Sequence, residues 1–225
     1  SSYEQITAAL GSASTYSLQF YNGYNWSTLF NLSNVENWSV LAGGTQSDLL
    51  FVHGTGNIYR GGAGVDAFCA DWSAAPVGTN ITWVNTPAVD QVVNGVTVSG
   101  FERLLLTTGA GNDRIDNSYV GNTSNDYLAT GAGNDTLVGG AGTDTLLSGA
   151  GNDLITFSGN GIVDGGADND TLIINAINSG SITRWIVVDG AGAGTILDAD
   201  SSYEQITAAL GSASTYSLQF YNGYN

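Results

Sequence analysis

A nine-residue period constrains the fold of this chain more than any other feature. From Thr130 onward the sequence reads TGAGNDTLV, GGAGTDTLL and SGAGNDLIT, with Gly at positions two and four, Asp at position six and an aliphatic residue at position eight. The frame extends backward to 121–129 and, across a four-residue insertion at 117–120, to 108–116. It extends forward through a degenerate eight-residue turn to 165–173. A short fixed period of this kind predicts a solenoid.

A second, shorter run uses the same frame. It reads GGTQSDLLF from Gly43, VHGTGNIYR from Val52 and GGAGVDAFC from Gly61, of which only the last copy is intact. A decayed copy without the carboxylate, DGAGAGTIL, lies at 189–197. Between the runs, two β-branched arms flank an Asn-Gly pair at 91–98, which predicts a β-hairpin. The runs are therefore expected to be separated by β structure of another kind.

Each position of the period has a physical role. Glycines at positions two and four allow positive φ angles and a close approach of the backbone, so that main-chain carbonyls can point at a metal ion. The Asp adds charge, and the residues after it form a very short strand with the position-eight side chain inside. This alternation predicts an interior column of aliphatic side chains, namely Ile115, Leu128, Leu137, Leu146, Ile155 and Leu172.

These motifs resemble the RTX family of secreted bacterial proteins, and the resemblance covers about half of the repeating unit. It implies a parallel β-roll in which two nonapeptides complete one coil and each ion is shared by turns 18 residues apart. Three pairs have that separation: Asp48 with Asp66, Asp126 with Asp144, and Asp135 with Asp153. The pair Asp153 and Asp170 is one residue short, and the pair Asp113 and Asp135 has four extra residues.

Carboxylate and carbonyl oxygens suit a hard cation, and flexible loops favour Ca²⁺ over Mg²⁺. We therefore expect several Ca²⁺ ions per repeat, while Asx turns that hold no ion are the alternative interpretation, especially in the short run. The expected carboxylate ligands are Asp48, Asp66, Asp113, Asp126, Asp135, Asp144, Asp153 and Asp170. The expected carbonyl ligands lie near Gly62, Gly64, Gly109, Gly111, Gly131, Gly133, Gly140, Gly142, Gly149, Gly151 and Gly166.

The two ends of the chain carry the same sequence. Residues 1–25 and 201–225 are identical, which indicates one 200-residue unit followed by the start of a second copy. The expected class is all-β, a parallel β-roll with Ca²⁺ in the turns, flanked by antiparallel or irregular sheet, in a tandem-repeat array. The expected divisions of the unit are a β lead-in at 1–42, a short degenerate roll at 43–69, a β insert at 70–107, the main roll at 108–173 and a β connection at 174–200.

Charge and composition exclude several classes of function. The net charge is −16, with 20 acidic residues and only four basic ones, all Arg, so a phosphate-binding basic patch is not expected and nucleic acid is not a partner. A membrane-spanning helix needs about 20 consecutive apolar residues. The sequence has no such run, so no membrane span is expected. With one His and no G-x-S-x-G motif, neither a zinc protease nor a lipase site can be assembled, so no enzyme is expected.

Identity between copies suits a protein whose task is length and regularity, and its expected partners are identical repeats in the same chain and in adjacent chains. The resemblance to repetitive RTX surface proteins, such as those of cyanobacteria, implies type I secretion and a calcium-stiffened fibril, sheath or surface layer at the cell surface. The alternative is an extender or binding module of an RTX adhesin. In that case either a separate tip domain or the aromatic residues between Tyr16 and Phe30 would hold the ligand, for which a cell-surface polysaccharide is the candidate.

Overall fold

A computed structural model describes residues 39–52 and 55–174 completely. It also describes residue 205 and the backbone of strands at 15–21, 26–33, 182–189, 194–198 and 213–220. The chain divides into two compact units, Ser1–Asn175 and Ala176–Asn225. No helix in these described parts is long and apolar enough to cross a membrane.

Short strands make up almost all of the regular structure, which confirms the all-β class. In the nonapeptides each strand lies at the end of the repeat; Thr136–Val138, for example, covers positions seven to nine of TGAGNDTLV. The strands are β1 (Thr15–Tyr21), β2 (Trp26–Ser33), β3 (Val40–Ala42), β4 (Leu49–Phe51), β5 (Ile58–Arg60), β6 (Ala67–Asp71), β7 (Thr82–Val84), β8 (Gln91–Val93), β9 (Val96–Ser99), β10 (Arg103–Thr107), β11 (Arg114–Asp116), β12 (Tyr127–Ala129), β13 (Thr136–Val138), β14 (Thr143–Leu147), β15 (Leu154–Phe157), β16 (Asn160–Asp164), β17 (Thr171–Ile174), β18 (Ile182–Asp189), β19 (Gly194–Asp198) and β20 (Ala213–Phe220).

Successive strands of the main run alternate between two parallel sheets. One sheet has six strands in the order β16-β14-β12-β10-β6-β4, and the other has five in the order β17-β15-β13-β11-β7. The position-eight residues are in register, so that Leu128 pairs with Leu146 in one sheet and Leu137 pairs with Ile155 in the other. Alternate nonapeptides therefore stack on each other, and the predicted parallel β-roll is confirmed.

Strands from both nonapeptide runs lie in the six-stranded sheet. Strand β10 lies at the end of the segment that the sequence marks as an insert, and it pairs with β6 on one side and with β12 on the other. Leu104 is level with Phe68, whereas Leu106 is level with Leu128. The main roll and the short roll are thus joined through β10.

The rest of the insert also contributes strands to this roll. Strand β7 pairs in parallel with β11, placing Trp83 level with Ile115. The 91–98 hairpin forms with Asn94 and Gly95 both at positive φ, 44° and 79°, as the Asn-Gly pair predicts. Its second arm, β9, pairs in parallel with β5.

The core changes in character along the roll. The interior column of Ile115, Leu128, Leu137, Leu146 and Ile155 is at most 1% exposed, as the period predicts. Around the insert the core is aromatic instead: the ring of Phe68 lies 5.2 Å from Trp83 and 5.0 Å from Phe101. The prediction for Leu172 is wrong, because this side chain is 46% exposed. Its strand, β17, is the last of its sheet, so no further coil among the described residues covers it.

Antiparallel sheets accompany the roll, as predicted. In the first unit β1 pairs with β2, and Leu18 is level with Phe30. In the second unit the order is β19-β18-β20, with both contacts antiparallel. The decayed nonapeptide at 189–197 therefore ends in an antiparallel strand, so β19 is not a further coil of the parallel roll.

Candidate metal site

The predicted aspartates lie in two columns, one along the N-terminal ends of the strands in each parallel sheet. We call Asp48, Asp66, Asp126 and Asp144 the first ladder; they lie at the strands of the six-stranded sheet. We call Asp113, Asp135, Asp153 and Asp170 the second ladder; they precede the strands of the five-stranded sheet.

The same hydrogen bond is repeated along the second ladder. The backbone N–H of Asp113 donates to Oδ1 of Asp135 (2.7 Å), and that of Asp135 donates to Oδ1 of Asp153 (2.8 Å). The N–H of Asp153 donates in the same way to Asp170 (3.1 Å). The pairs with 22- and 17-residue separations thus make the same contact as the pair with 18, because the insertion and the shortened turn leave the strand register intact.

The first ladder contains the same contact. The N–H of Asp48 donates to Oδ1 of Asp66 (2.7 Å), and the N–H of Asp126 donates to Oδ1 of Asp144 (2.9 Å). Each of these carboxylates therefore has one oxygen held by the backbone of the preceding coil, which fixes the direction of its second oxygen.

Four of these second oxygens are buried without a hydrogen-bond partner. They are Oδ2 of Asp66, Asp135, Asp144 and Asp153, whose residues are at most 2% exposed. A buried carboxylate oxygen without a partner is costly, and a bound cation removes the cost. Within the described residues no three His, Cys, Asp or Glu side chains form a cluster, so a cation here would take most of its ligands from backbone carbonyls. An all-oxygen set of this kind fits Ca²⁺.

The glycines bring those carbonyls close together. Gly151 has φ +128°, and a Cβ on it would overlap the carbonyl oxygen of Gly133 in the preceding coil. The carbonyl of Gly131 accepts a hydrogen bond from the N–H of Ala150 (2.8 Å), which leaves its second lone pair for a cation. A side chain at position four would therefore fill the space between adjacent turns.

The first turn of the main run departs from the predicted glycine geometry. Neither Gly109 nor Gly111 has a positive φ. On its preceding side this turn lies against the 73–80 loop instead of another nonapeptide, and a Cβ on Gly109 would lie 2.8 Å from the Ser73 carbonyl oxygen. Close backbone approach, without left-handed backbone, is what requires glycine here.

Comparison with known families agrees with this geometry. The family model of the RTX calcium-binding nonapeptide repeat matches residues 120–155 and 156–173, with four copies. These residues are RTX calcium-binding nonapeptide repeats. No curated protein and no solved structure matches the chain.

Two ladder aspartates already have hydrogen-bond partners on both carboxylate oxygens: Asp113, which precedes the RTX segment, and Asp126, which lies near its start. Oδ2 of Asp126 accepts from Nδ2 of the fully buried Asn117 (2.7 Å), and Oδ2 of Asp113 accepts from the Thr108 hydroxyl. Asn117 is itself held by Nδ2 of Asn85 (2.7 Å). The need for a cation is therefore greatest at the four aspartates whose Oδ2 atoms have no partner, and the metal role of each predicted ligand remains a prediction.

Two further side-chain columns cross the RTX repeats and were not predicted. At position five, the N–H of Asn134 donates to Oδ1 of Asn112 (2.8 Å), and the N–H of Asn152 donates to Oδ1 of Asn134 (2.8 Å). At position one, the buried Thr130 hydroxyl donates to the Ser148 carbonyl (3.0 Å). Both columns have a sequence signal, since Asn recurs at position five and Thr or Ser at position one.

Without an ion, the buried carboxylates resist ionisation. Burial raises the pKa of Asp126 to about 7 and the pKa values of Asp135 and Asp144 to about 6, from an ordinary 3.8. Burial also raises the pKa of Asp66 and of Asp113. A divalent cation has the opposite effect on such a group, because it favours the charged form.

These shifts predict opposite pH dependences with and without calcium. A raised pKa in the fold means that the metal-free roll is most stable below about pH 4 and loses stability as pH rises through about 6 to 7. With calcium bound, protons compete with the ion, so stability should fall on acidification. The β content by circular dichroism at pH 5 and pH 7.5 in calcium-stripped buffer, together with urea unfolding at both pH values in excess calcium, checks both directions. The same sign in both buffers would contradict the assignment.

Proposed function

We propose that the chain is a repeat unit of a long, secreted, calcium-binding structural protein that forms a fibril, sheath or surface layer on a bacterial cell. The RTX repeats, the net charge of −16 and the identity of residues 1–25 and 201–225 support this role. In this role the unit has no catalytic task. Its function depends on stacking, on calcium and on the joint between successive copies.

The observation that carries the proposal is the pairing at that joint. Strand β20 belongs to the second copy, and it pairs antiparallel with β18, the end of the first copy. Trp185 is level with Leu218, and Val187 is level with Tyr216. The start of one copy thus completes a sheet begun by the end of the copy before it.

The same sequence at the start of the chain has a different strand partner. Strand β1 pairs with β2, placing Tyr16 level with Leu32. Among the described strands, β1 and β20 each have a single neighbour. Because a strand has two hydrogen-bonding edges, this strand in a tandem array can pair with the preceding β18 on one edge and with the following β2 on the other. The result is a four-stranded antiparallel sheet across every joint, which makes the array stiff.

Calcium accounts for the timing of folding. Extracellular modules bind Ca²⁺ at about 10⁻⁴ to 10⁻³ M, well above the cytosolic range. An acidic roll that needs the ion remains unfolded before export and folds outside the cell. Secretion and assembly are thus separated without a further signal.

Hydrogen exchange on a two-repeat protein, residues 1–200 followed by 1–225, tests the joint. Alternate amides of a strand point to its two opposite edges. In the internal copy of the 213–220 strand, the amides at both edges should be protected from exchange. In the 225-residue chain only one set should be protected, because β20 has one neighbour. Rapid exchange throughout the internal joint strand would mean independent beads on flexible linkers. Loss of β18 protection in the two-repeat protein would mean that β2 and β18 compete for one edge. Either result would overturn the stiff array.

A further inference from the structure

We propose that Glu102 and Gly100 complete a cation site against the turn 61–66, at a place where the sequence has no nonapeptide. The inference rests on the proposed calcium binding and extends it into the insert. It explains how the first ladder continues between Asp66 and Asp126, which are 60 residues apart in sequence.

Glu102 occupies the place of a ladder aspartate. The backbone N–H of Asp66 donates to Oε2 of Glu102 at 2.8 Å, just as the N–H of Asp48 donates to Oδ1 of Asp66 at 2.7 Å. Glu102 also directly precedes β10, and β10 pairs with β6 in parallel as β6 pairs with β4. The carboxylate therefore arrives one coil after Asp66 and at the same height.

Gly100 occupies the place of a position-one glycine. A Cβ on Gly43 would overlap the carbonyl oxygen of Gly61 and lie 2.5 Å from Oδ2 of Asp48. A Cβ on Gly61 would overlap the carbonyl oxygen of Gly100 and lie 2.8 Å from Oδ2 of Asp66. Gly100 is thus related to Gly61 as Gly61 is related to Gly43.

The turn before Glu102 is shorter than the turn of a nonapeptide. In a nonapeptide, five positions separate the first glycine from the carboxylate, but only two separate Gly100 from Glu102. Gly100 has φ +71°, and the shorter turn still brings Glu102 to the strand register of Asp66, because Arg103 pairs with Ala67.

An unpartnered oxygen points into the same space. Asp66 is fully buried, and its Oδ2 has no hydrogen-bond partner although it lies beside the Gly100 carbonyl across Gly61. No cation in the described part of the chain forms an ion pair with it: Arg103 donates its Nε–H to the Asn125 carbonyl (2.6 Å). The ion pairs among the described residues join Arg60 to Asp90 and Arg114 to Asp116. Two carboxylates and a carbonyl around one small space fit a divalent cation with oxygen ligands.

The main run then begins two residues further on. The N–H of Leu104 donates to Oδ1 of Asp126 (2.8 Å), as the N–H of Asp126 donates to Oδ1 of Asp144. Leu104 therefore occupies the position that a ladder aspartate would have in the coil before Asp126. The five-residue strand β10 spans this shift, since all five of its residues pair with β6 and its last three also pair with β12. The cation-bound turns thus extend through the insert into the short roll.

Calcium stoichiometry of the full chain tests the site. Glu102→Gln keeps an oxygen that can accept from the Asp66 N–H but removes the charge, so the variant should bind one Ca²⁺ fewer by equilibrium dialysis, or bind one ion at least tenfold more weakly. The matched control is Asp90→Asn, a carboxylate of the same insert that bonds to Arg60 and Ser99 instead, and it should bind as many ions as the unchanged chain.

A second measurement needs no variant. Anomalous diffraction from calcium-loaded crystals of the unchanged chain should show an ion between Asp66 and Glu102. Ions in the main-run turns with none at this place, or an unaltered stoichiometry in Glu102→Gln, would overturn the inference and leave the proposed function standing. Absence of calcium binding by the unchanged chain would overturn both.

Discussion

Removal of calcium at neutral pH is expected to unfold most of the roll. The net charge is −16, and four buried carboxylate oxygens have no protein partner, so the metal-free coils repel one another and carry unpaired charge. Circular dichroism should show mostly disordered chain in excess chelator and a gain of β signal on adding Ca²⁺, with a midpoint on the order of 10⁻⁴ to 10⁻³ M.

Magnesium at equal ionic strength is the control for general charge screening. Because Mg²⁺ demands tighter octahedral geometry and loses water reluctantly, it should restore little of the signal. Full β content in excess chelator, unchanged by calcium, would refute the account of the ladders.

The Asp135→Asn substitution is expected to change stability with opposite signs in the two conditions. The amide can still accept from the Asp113 N–H, but it removes a buried charge from a residue that is 2% exposed. In calcium-free buffer this change should stabilise the roll, by roughly 1–3 kcal/mol, the usual cost of an unsatisfied buried polar group. In saturating calcium it should destabilise the roll, and a tenfold loss of affinity at one ion corresponds to about 1.4 kcal/mol.

Asp71→Asn is the matched control, because Asp71 is an exposed carboxylate that accepts from Ser73 and lies outside both ladders. It should move the unfolding midpoint little in either buffer. The double variant Asp135→Asn with Asp153→Asn should lose less than the sum of the single losses in calcium, because the two carboxylates serve one ion. Additive losses, or equal shifts with and without calcium, would show that the pair is not a shared site.

The nonapeptide period predicts the parts of this protein that are local and repeated. Glycines at positions two and four, an aspartate at six and an aliphatic residue at eight specify a turn and a strand within nine residues. Stacking of such units then fixes the interior column from Ile115 to Ile155. The same period located the ladder aspartates, since each needs only its own turn and the turn one coil away. The period could not predict the exposure of Leu172, because burial of that side chain depends on whether a further coil follows.

The way in which the two runs are joined depends on long-range contacts that the period does not contain. Glu102 meets Asp66 across 36 residues, and Ile81 donates its N–H to Asp113 across 32. Asn117 replaces a cation partner at Asp126 because an insertion folds back over the ladder. Glu102, Ile81 and Asn117 lie outside the nonapeptide frame, so the nine-residue period does not mark them. Their positions follow from the way the insert packs its aromatic core around Phe68, and that packing depends on contacts distant in sequence.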